Sequence, residues 1–327
     1  MYQKIKTTDE NGNLITLRYA AEKWLEERRL FVKPSTYARY IHTLRIHILP
    51  HLEHECIGEL DTGRLNLYLQ MLLSEGRIDK KGGLAPKTVY DIYVIVKAII
   101  RFAEENYQIS GYLPRTSNLW KRGSHVTVMD VPSRVKLETF LLSNTANPCC
   151  LGILLCLYTG MRLGEICALK WENIHLEGGF IRIASTLQRI QNVEDDSGKK
   201  TRIICSPPKS RASSREIPLP GFLLNILRLY PPKSDLNLYF LTGTCRFVEP
   251  RTYQNCFKSY LKLNQLPDIN FHALRHTFAT RCVIAGVDIK SLSEILGHSS
   301  VQMTLNYYVH PSLEDKRRQI ELISQYM

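Results

Sequence analysis

After Pro86 the apolar residues Val89, Ile92, Tyr93, Val96, Ile99, Ile100 and Ala103 recur at the 3.6-residue spacing of a helix buried along one face. A stripe of that length fixes a long helix and requires other elements to cover it. Residues 14–30 and 35–49 read as two such helices, the second opened by Pro34-Ser35-Thr36, where Pro and a hydroxyl residue suit a helix start. Residues 60–74 form a third. Four helices joined by short polar turns predict a small all-α domain over residues 1–110, with a short leader at 1–13.

At 327 residues the chain exceeds what one core usually supports, so a second domain is expected, and neither needs metal or disulfide staples. Gly111, Pro114 and the polar, basic run 115–124 break the periodicity as a linker would, over 111–125. The second domain runs from 126 to 311. It opens with helices at 133–144 and 147–159, a turn at Thr159-Gly160 and a helix at 163–169. Residues 179–190, 200–206 and 214–219 alternate or are β-branched, with a Ser197-Gly198 turn, and predict a small antiparallel sheet. Helices return at 220–230, 250–264, 272–285, 288–296 and 300–309, and a short amphipathic tail helix occupies 312–327. The fold class is mainly α with a small antiparallel β-sheet: a helical bundle followed by a mixed α/β domain.

The formal charge of +12 favours a polyanionic partner. Residues 1–110 are nearly balanced, with 16 Lys and Arg against 14 Asp and Glu, whereas 111–327 hold 27 against 17. Cys56, Cys149, Cys150, Cys156, Cys167, Cys205, Cys245, Cys256 and Cys282 show no C-x-x-C pair and no zinc-ligand spacing, as expected of idle thiols in a reducing cytosol. The longest apolar stretch, 151–158, is too short to span a bilayer, and the polar start is no signal peptide. A cytoplasmic protein is expected, with no membrane partner.

The basic excess sits with a set of residues suited to phosphodiester chemistry. Arg162 follows Thr159-Gly160-Met161 at a helix start, where its guanidinium joins unpaired backbone N–H groups to form a phosphate site; Glu165 would hold it, and a surface Arg paired with its i+3 Glu is the plain alternative. Lys209 lies in a turn before the strand 215–219, placed either to neutralise a phosphate or to protonate a departing oxygen, although turn lysines are usually only solvated. His272 and Arg275, at i and i+3, face one anion from one helix; His276 competes for that role, but a lone helical His is more often structural. Gly297 caps a helix ahead of His298, and Tyr307 and Tyr308 follow. A phenol titrates near 10 and attacks poorly unless cations and a base surround it.

The order Arg162, Lys209, His272-x-x-Arg275, Leu296-Gly297-His298 and a Tyr resembles the tyrosine recombinases, or phage integrases, through the segments Thr159-Gly160-Met161-Arg162-Leu163-Gly164-Glu165, Pro208-Lys209-Ser210, His272-Ala273-Leu274-Arg275-His276 and Leu296-Gly297-His298-Ser299-Ser300. The resemblance covers the second domain, and the helical first domain is similar to the family's core-DNA-binding domain. It implies a two-domain, C-shaped clamp. It also implies that Arg162 and Arg275 bind the scissile phosphate, Lys209 is the general acid, His272 assists proton transfer, and His298 hydrogen-bonds the phosphate. A tyrosine would attack, leaving a 3′-phosphotyrosyl link, with neither ATP nor metal nor another cofactor. The family's Tyr-x-His ending matches Tyr308-Val309-His310 and favours Tyr308 over Tyr307.

The same resemblance implies double-stranded DNA recombination sites, a homotetramer with a four-way (Holliday) junction, accessory directionality or DNA-bending proteins, and a bacterial, nucleoid-associated protein. Lys121, Arg122, Lys199, Lys200 and Arg211 are candidate DNA contacts, and the resemblance implies a tail, 312–327, that docks on a neighbouring subunit, with packing on its own subunit as the alternative. The expected role is integration and excision of a mobile element; chromosome-dimer resolution and a type IB topoisomerase-like strand transferase are the alternatives. A scaffold that has lost catalysis would show gaps among the six positions, and none is missing. A metal-dependent nuclease built on His272, His276 and His298 lacks a carboxylate cluster. Many such integrases carry an additional N-terminal arm-binding domain, whereas the helical domain here starts near residue 14; the expectation is either a member that works on core sites alone, which the Met1 start slightly favours, or a piece of a longer protein.

Overall fold

The computed structural model describes residues 14–107, 109, 127–192, 200–208, 213–230 and 236–308, together with 313, 316, 317, 320 and 321. The chain divides into two units, Met1–Ser124 with Ile190–Arg202, and His125–Arg189 with Ile203–Met327.

In the first unit the long stripe becomes α5, Pro86–Tyr107, with Val89, Ile92, Val96, Ile99, Ile100 and Ala103 buried. It packs against α1, Leu17–Phe31, whose Thr16 cap accepts from the Tyr19 N–H. Asp61 caps α4, Thr62–Glu75, in the same way. Burial of Trp24, Tyr68 and the aliphatic stripe joins these helices in one core.

The second expected helix differs from its sequence reading. α2, Pro34–Thr43, does not stop near residue 49; it passes through a π-turn at Leu44–Ile48 into α3, Leu49–Leu52. The cause is Pro50. It has no N–H to donate to the carbonyl four residues back, and its ring would strike that carbonyl. Widening the turn by one residue, with the Leu49 N–H reaching the Leu44 carbonyl, clears the clash and lets the helix continue.

The second unit is organised around α7, Pro148–Thr159, in which every residue from Cys150 to Leu157 is buried. A helix apolar all round must be surrounded, and α6, Val131–Leu142, α10, Pro250–Leu263, and α11, His272–Ile284, pack on it. Gly160 ends α7 at φ 66°, and α8, Leu163–Ala168, follows at once. The strands form two sheets rather than one. β1, Ile174–His175, β2, Phe180–Arg182, and β5, Glu216–Pro218, run antiparallel in the order β1-β2-β5, with Ile181 opposite Ile217. β3, Thr186–Gln191, pairs instead with β4, Thr201–Ser206.

The inward residues Ile181, Ile183 and Leu187 keep their period of two across the break while the partner strand changes. Alternation reports which face is buried, not which strand lies alongside. After α9, Gly221–Leu229, and the α10–α11 pair come α12, Ile289–Leu296, and α13, Val301–Tyr308, which close a small cluster of Ala279, Leu292, Leu296 and Tyr308. No helix among the described residues is long and apolar enough to cross a membrane.

Leu154 lies at the centre of this core and is fully buried. Leu154→Ala is expected to cost about 2–5 kcal/mol through the cavity it leaves, read as a lower urea midpoint with an unchanged slope.

Candidate active site

The last turn of α12 leaves backbone carbonyls that the helix cannot use. Gly297 adopts φ 64°, which returns the Gly297 N–H to the Glu294 carbonyl and the His298 N–H to the Ser293 carbonyl. That closes a Schellman turn. The next three carbonyls each accept a guanidinium. Arg215 Nε donates to Ile295 at 2.5 Å, Arg275 Nη2 to Leu296 at 2.7 Å, and Arg162 Nη2 to Gly297 at 3.1 Å. The negative end of the helix dipole thus gathers three cations contributed by α11, by the start of α8 and by the residue before β5.

Glu165 braces the cluster from the other side. Its Oε2 accepts from the Arg162 backbone N–H at 2.9 Å and its Oε1 from Arg162 Nη1 at 2.7 Å. Arg215 grips both oxygens, at 3.0 and 2.9 Å, in a fork geometry that a lysine would not reproduce. Burial alone would raise this carboxyl, but the hydrogen bonds and charge of Arg215, helped by Arg162, hold it at about 2. Arg275 is anchored a second time, to the Gly160 carbonyl at 2.8 Å. Gly160 is required there: besides its positive φ, a Cβ would meet Phe278 at 2.7 Å and Leu296 at 2.8 Å.

Three arginines against one carboxylate leave the site positive, and its imidazoles respond. Burial first, then the neighbouring cations, pushes His272 and His298 down to about 4, so both are neutral at pH 7. His276 is lowered by burial and by Arg275. Burial and Arg162 bring Arg275 down to about 9, still protonated at neutral pH. Among the described residues Arg215 spends Nε and both Nη atoms on protein partners, whereas Arg162 and Arg275 each use two of five N–H donors. The Arg162 side chain is 36% exposed; Arg275 is 2% exposed and closed over.

Tyr308 sits on α13 facing this cluster. It is buried at 8%, and its Oη lies 2.6 Å from His276 Nδ1. Its ring stacks parallel to His298 at 6.4 Å, and His298 Nδ1 is held by Thr304 Oγ1 at 2.8 Å. Tyr307 points elsewhere and is 41% exposed. Burial raises the Tyr308 phenol, and Arg275 and Arg162 only partly offset it. Cations and a base together were expected to activate this phenol; in the closed site burial outweighs the cations, which leaves the base to do so.

Of the residues expected from sequence, Arg162, Glu165, His272, Arg275, His298 and Tyr308 lie in one cluster within the second unit. Lys200 is exposed just before β4, and its carbonyl accepts from the Asn192 N–H. Lys209, Lys121, Arg122, Lys199, Arg211 and His310 lie outside the described residues. Among the described residues no group of three His, Cys, Asp or Glu side chains converges as metal ligands.

Two members of the site were missed, and a third was named only as a competitor of His272. Arg215 shares the inward register of Ile217 and Leu219, and a charged residue in an inward register was the available signal. Thr304 lies four residues before Tyr308, on the same helix face. His276 was weighed against His272 with a structural role as the alternative, and its Nδ1 is hydrogen-bonded to Tyr308 Oη.

The profile described as the phage integrase family matches residues 137–314, and that of the phage integrase N-terminal SAM-like domain matches 16–62. The chain is 24% identical to the tyrosine recombinase XerC-like protein of Caldanaerobacter subterraneus subsp. tengcongensis, across 95% of this chain and 83% of that protein. It is 27% identical to the transposase from transposon Tn916 of Enterococcus faecalis, across 53% of this chain and 45% of the transposase. The chain spans about half the length of that transposase and of several other curated relatives. Among solved structures, the Tn1549 transposon integrase in complex with transposon right end DNA superposes with a TM-score of 0.74 at 22% identity, over 95% of this chain and all of that one. A lambda integrase dimer bound to a core site superposes at 0.61 and 18% identity, over 90% and 95%. These structures share the fold.

Two stability measurements follow from the cluster. Arg215→Ala leaves Glu165 buried with half its partners and is expected to cost about 3–5 kcal/mol in denaturant unfolding. His272 and His298 refuse protons that the unfolded chain accepts at about 6.5, so their contribution is complete above that pH and is lost as pH falls toward 4. Glu165 adds its own loss only below about 4.5, as pH falls toward 2. The melting temperature is therefore expected to fall between pH 6.5 and 4, and His298→Asn to make that fall shallower.

Proposed function

The chain belongs to the phage integrase family, whose tyrosine recombinases cleave and rejoin DNA through a covalent tyrosine intermediate, and on that basis we propose that it integrates and excises a mobile element at specific DNA sites. The observation that carries the site assignment is the pair of guanidiniums, Arg162 and Arg275, fastened to the adjacent carbonyls of Gly297 and Leu296 beside the Tyr308 phenol. Donors fixed before the substrate arrives need no reorganisation when charge builds on the phosphate, and this is where electrostatic catalysis gains most. The mobile-element role is supported by the likeness to the Tn916 transposase and the Tn1549 integrase, the latter also solved with circular intermediate DNA.

In this reading Arg162 and Arg275 hold the non-bridging oxygens of the scissile phosphate, and the DNA must open the site over Arg275 to reach it. Tyr308 Oη attacks phosphorus, the 5′-oxygen departs with a proton from Lys209, and His298, kept in orientation by Thr304, hydrogen-bonds the phosphate. The 3′-phosphotyrosyl link conserves the phosphodiester, so a 5′-hydroxyl from a second duplex can reverse the step without ATP. Two such exchanges pass through a Holliday junction in a homotetramer, in the bacterial cytoplasm. The helical domain of residues 1–110 and the catalytic domain of 126–311 are assigned to core-site binding and chemistry, and the tail 312–327 to a neighbouring subunit. Lys121, Arg122, Lys199, Lys200 and Arg211 are assigned to DNA phosphates, with directionality or bending proteins as accessory partners.

A nicked duplex that carries the element's end traps the covalent product, because the short 5′-strand diffuses away. Tyr307→Phe is expected to retain the trapped protein–DNA adduct and Tyr308→Phe to abolish it. An adduct that survives in Tyr308→Phe moves the nucleophile to another residue.

A further inference from the structure

His272 occupies the place from which the resemblance would have a histidine serve the nucleophile, yet the hydrogen-bond partner of Tyr308 Oη among the described residues is His276, 2.6 Å away through Nδ1. The His272 ring packs against the His276 ring edge-on at 4.5 Å and 84°. It supports the second imidazole rather than the phenol. We propose that His276 is a catalytic residue of the strand-cleavage step, taking the proton of Tyr308 as the phenol attacks, with His272 fixing the His276 ring.

The inference rests on Tyr308 as the nucleophile and adds the identity of its base. In the step, the Tyr308 O–H proton passes to His276 Nδ1 and the Oη–P bond forms. The P–O5′ bond breaks, and the 5′-oxygen leaves with a proton from the general acid. One proton enters the protein as one leaves it, and no oxidant or further reactant takes part.

Three features of the surroundings suit this role. The phenol is buried and its ordinary pKa raised, so without a base almost none would be ionised at pH 7. Burial and Arg275 keep His276 neutral, which leaves Nδ1 able to accept. Among the described residues the groups that act on the pair are Arg275 on α11, Tyr307 on α13 and Arg162 at the start of α8; the nearby carboxylate, Glu165, acts on His272 and Arg275, not on His276, and so does not stabilise its imidazolium in advance. The positive charge formed on His276 is opposed by Arg275 until an anion is present. A bound phosphate removes that opposition, so ionisation of the nucleophile is tied to occupancy by DNA.

The test is single-turnover adduct formation by the full chain on the nicked duplex, measured from pH 5.5 to 9. His276→Ala is expected to slow adduct formation by about 100-fold or more, the usual weight of a positioned general base. Duplex binding and melting temperature should stay near wild type. Its rate should climb with pH where wild type is flat, and added imidazole should restore part of it. His276→Asn keeps an acceptor where Nδ1 stood but cannot take a proton at these pH values, so it should remain as slow as His276→Ala. It also carries the test if the alanine variant fails to fold.

A His276→Ala rate within about threefold of wild type with an unchanged pH profile overturns the proposal, and so does full recovery in His276→Asn, which would reduce the residue to positioning. An adduct in Tyr308→Phe would instead overturn the assignment of the nucleophile.

Discussion

Three successive carbonyls at the C-terminal end of α12 hold the site together. Ile295, Leu296 and Gly297 each accept a guanidinium, and those guanidiniums come from segments as far apart in sequence as Arg162 and Arg275. A helix end presents its unpaired carbonyls and its negative dipole in one place, so a short turn can recruit cations from three elements without spending an acidic side chain on each. Gly297 is what makes the turn possible. With φ at 64° it directs its own N–H and that of His298 back into the helix and leaves these three carbonyls facing outward. Gly160 plays the matching part at the end of α7, offering its carbonyl to Arg275 where no side chain would fit.

The division of labour among the arginines follows from their partners. Arg215 uses four of its five N–H donors on protein acceptors and is bound in a fork to Glu165, so its charge is consumed inside the fold. Arg162 and Arg275 are each only partly satisfied. Their unused N–H groups constitute a site that is electrostatically incomplete until an oxyanion arrives. The neutral histidines express the same imbalance, because each imidazole near the cluster stays uncharged to avoid adding to it. An arriving phosphate would complete the donor set of the arginines and also remove the penalty on charging an imidazole.

Much of this was legible in the sequence, for reasons that differ between elements. The α5 stripe was plain because one residue spacing explains seven apolar positions. Taken singly, Arg162, Arg275, His298 and Tyr308 were ambiguous; their order resembled a family's segments, and the Tyr-x-His ending singled out Tyr308. What pairing alone decides was not legible. The single sheet read over 179–219 is two sheets, since inward alternation continues from Ile181 to Leu187 while the neighbouring strand changes. Pro50 reads locally as a stop, and only its accommodation by a π-turn keeps the α2–α3 segment running. Arg215 was overlooked because its acceptors, Glu165 and Ile295, lie 50 and 80 residues away.

His276 was set aside for the same reason in reverse. On its own helix it is one more histidine on the face of His272 and Arg275, and helix geometry predicts that shared face without ranking its members. What ranks them is α13, which brings Tyr308 down on His276 and not on His272, and α13 is placed by Leu292, Leu296 and Ala279 in a small apolar cluster. The carbonyls that hold the arginines and two of the apolar residues that seat the phenol, Leu292 and Leu296, thus belong to the same short helix and its cap. A change in its packing would shift the anion site and the nucleophile together, so the two halves of the reaction keep their distance through one turn of backbone.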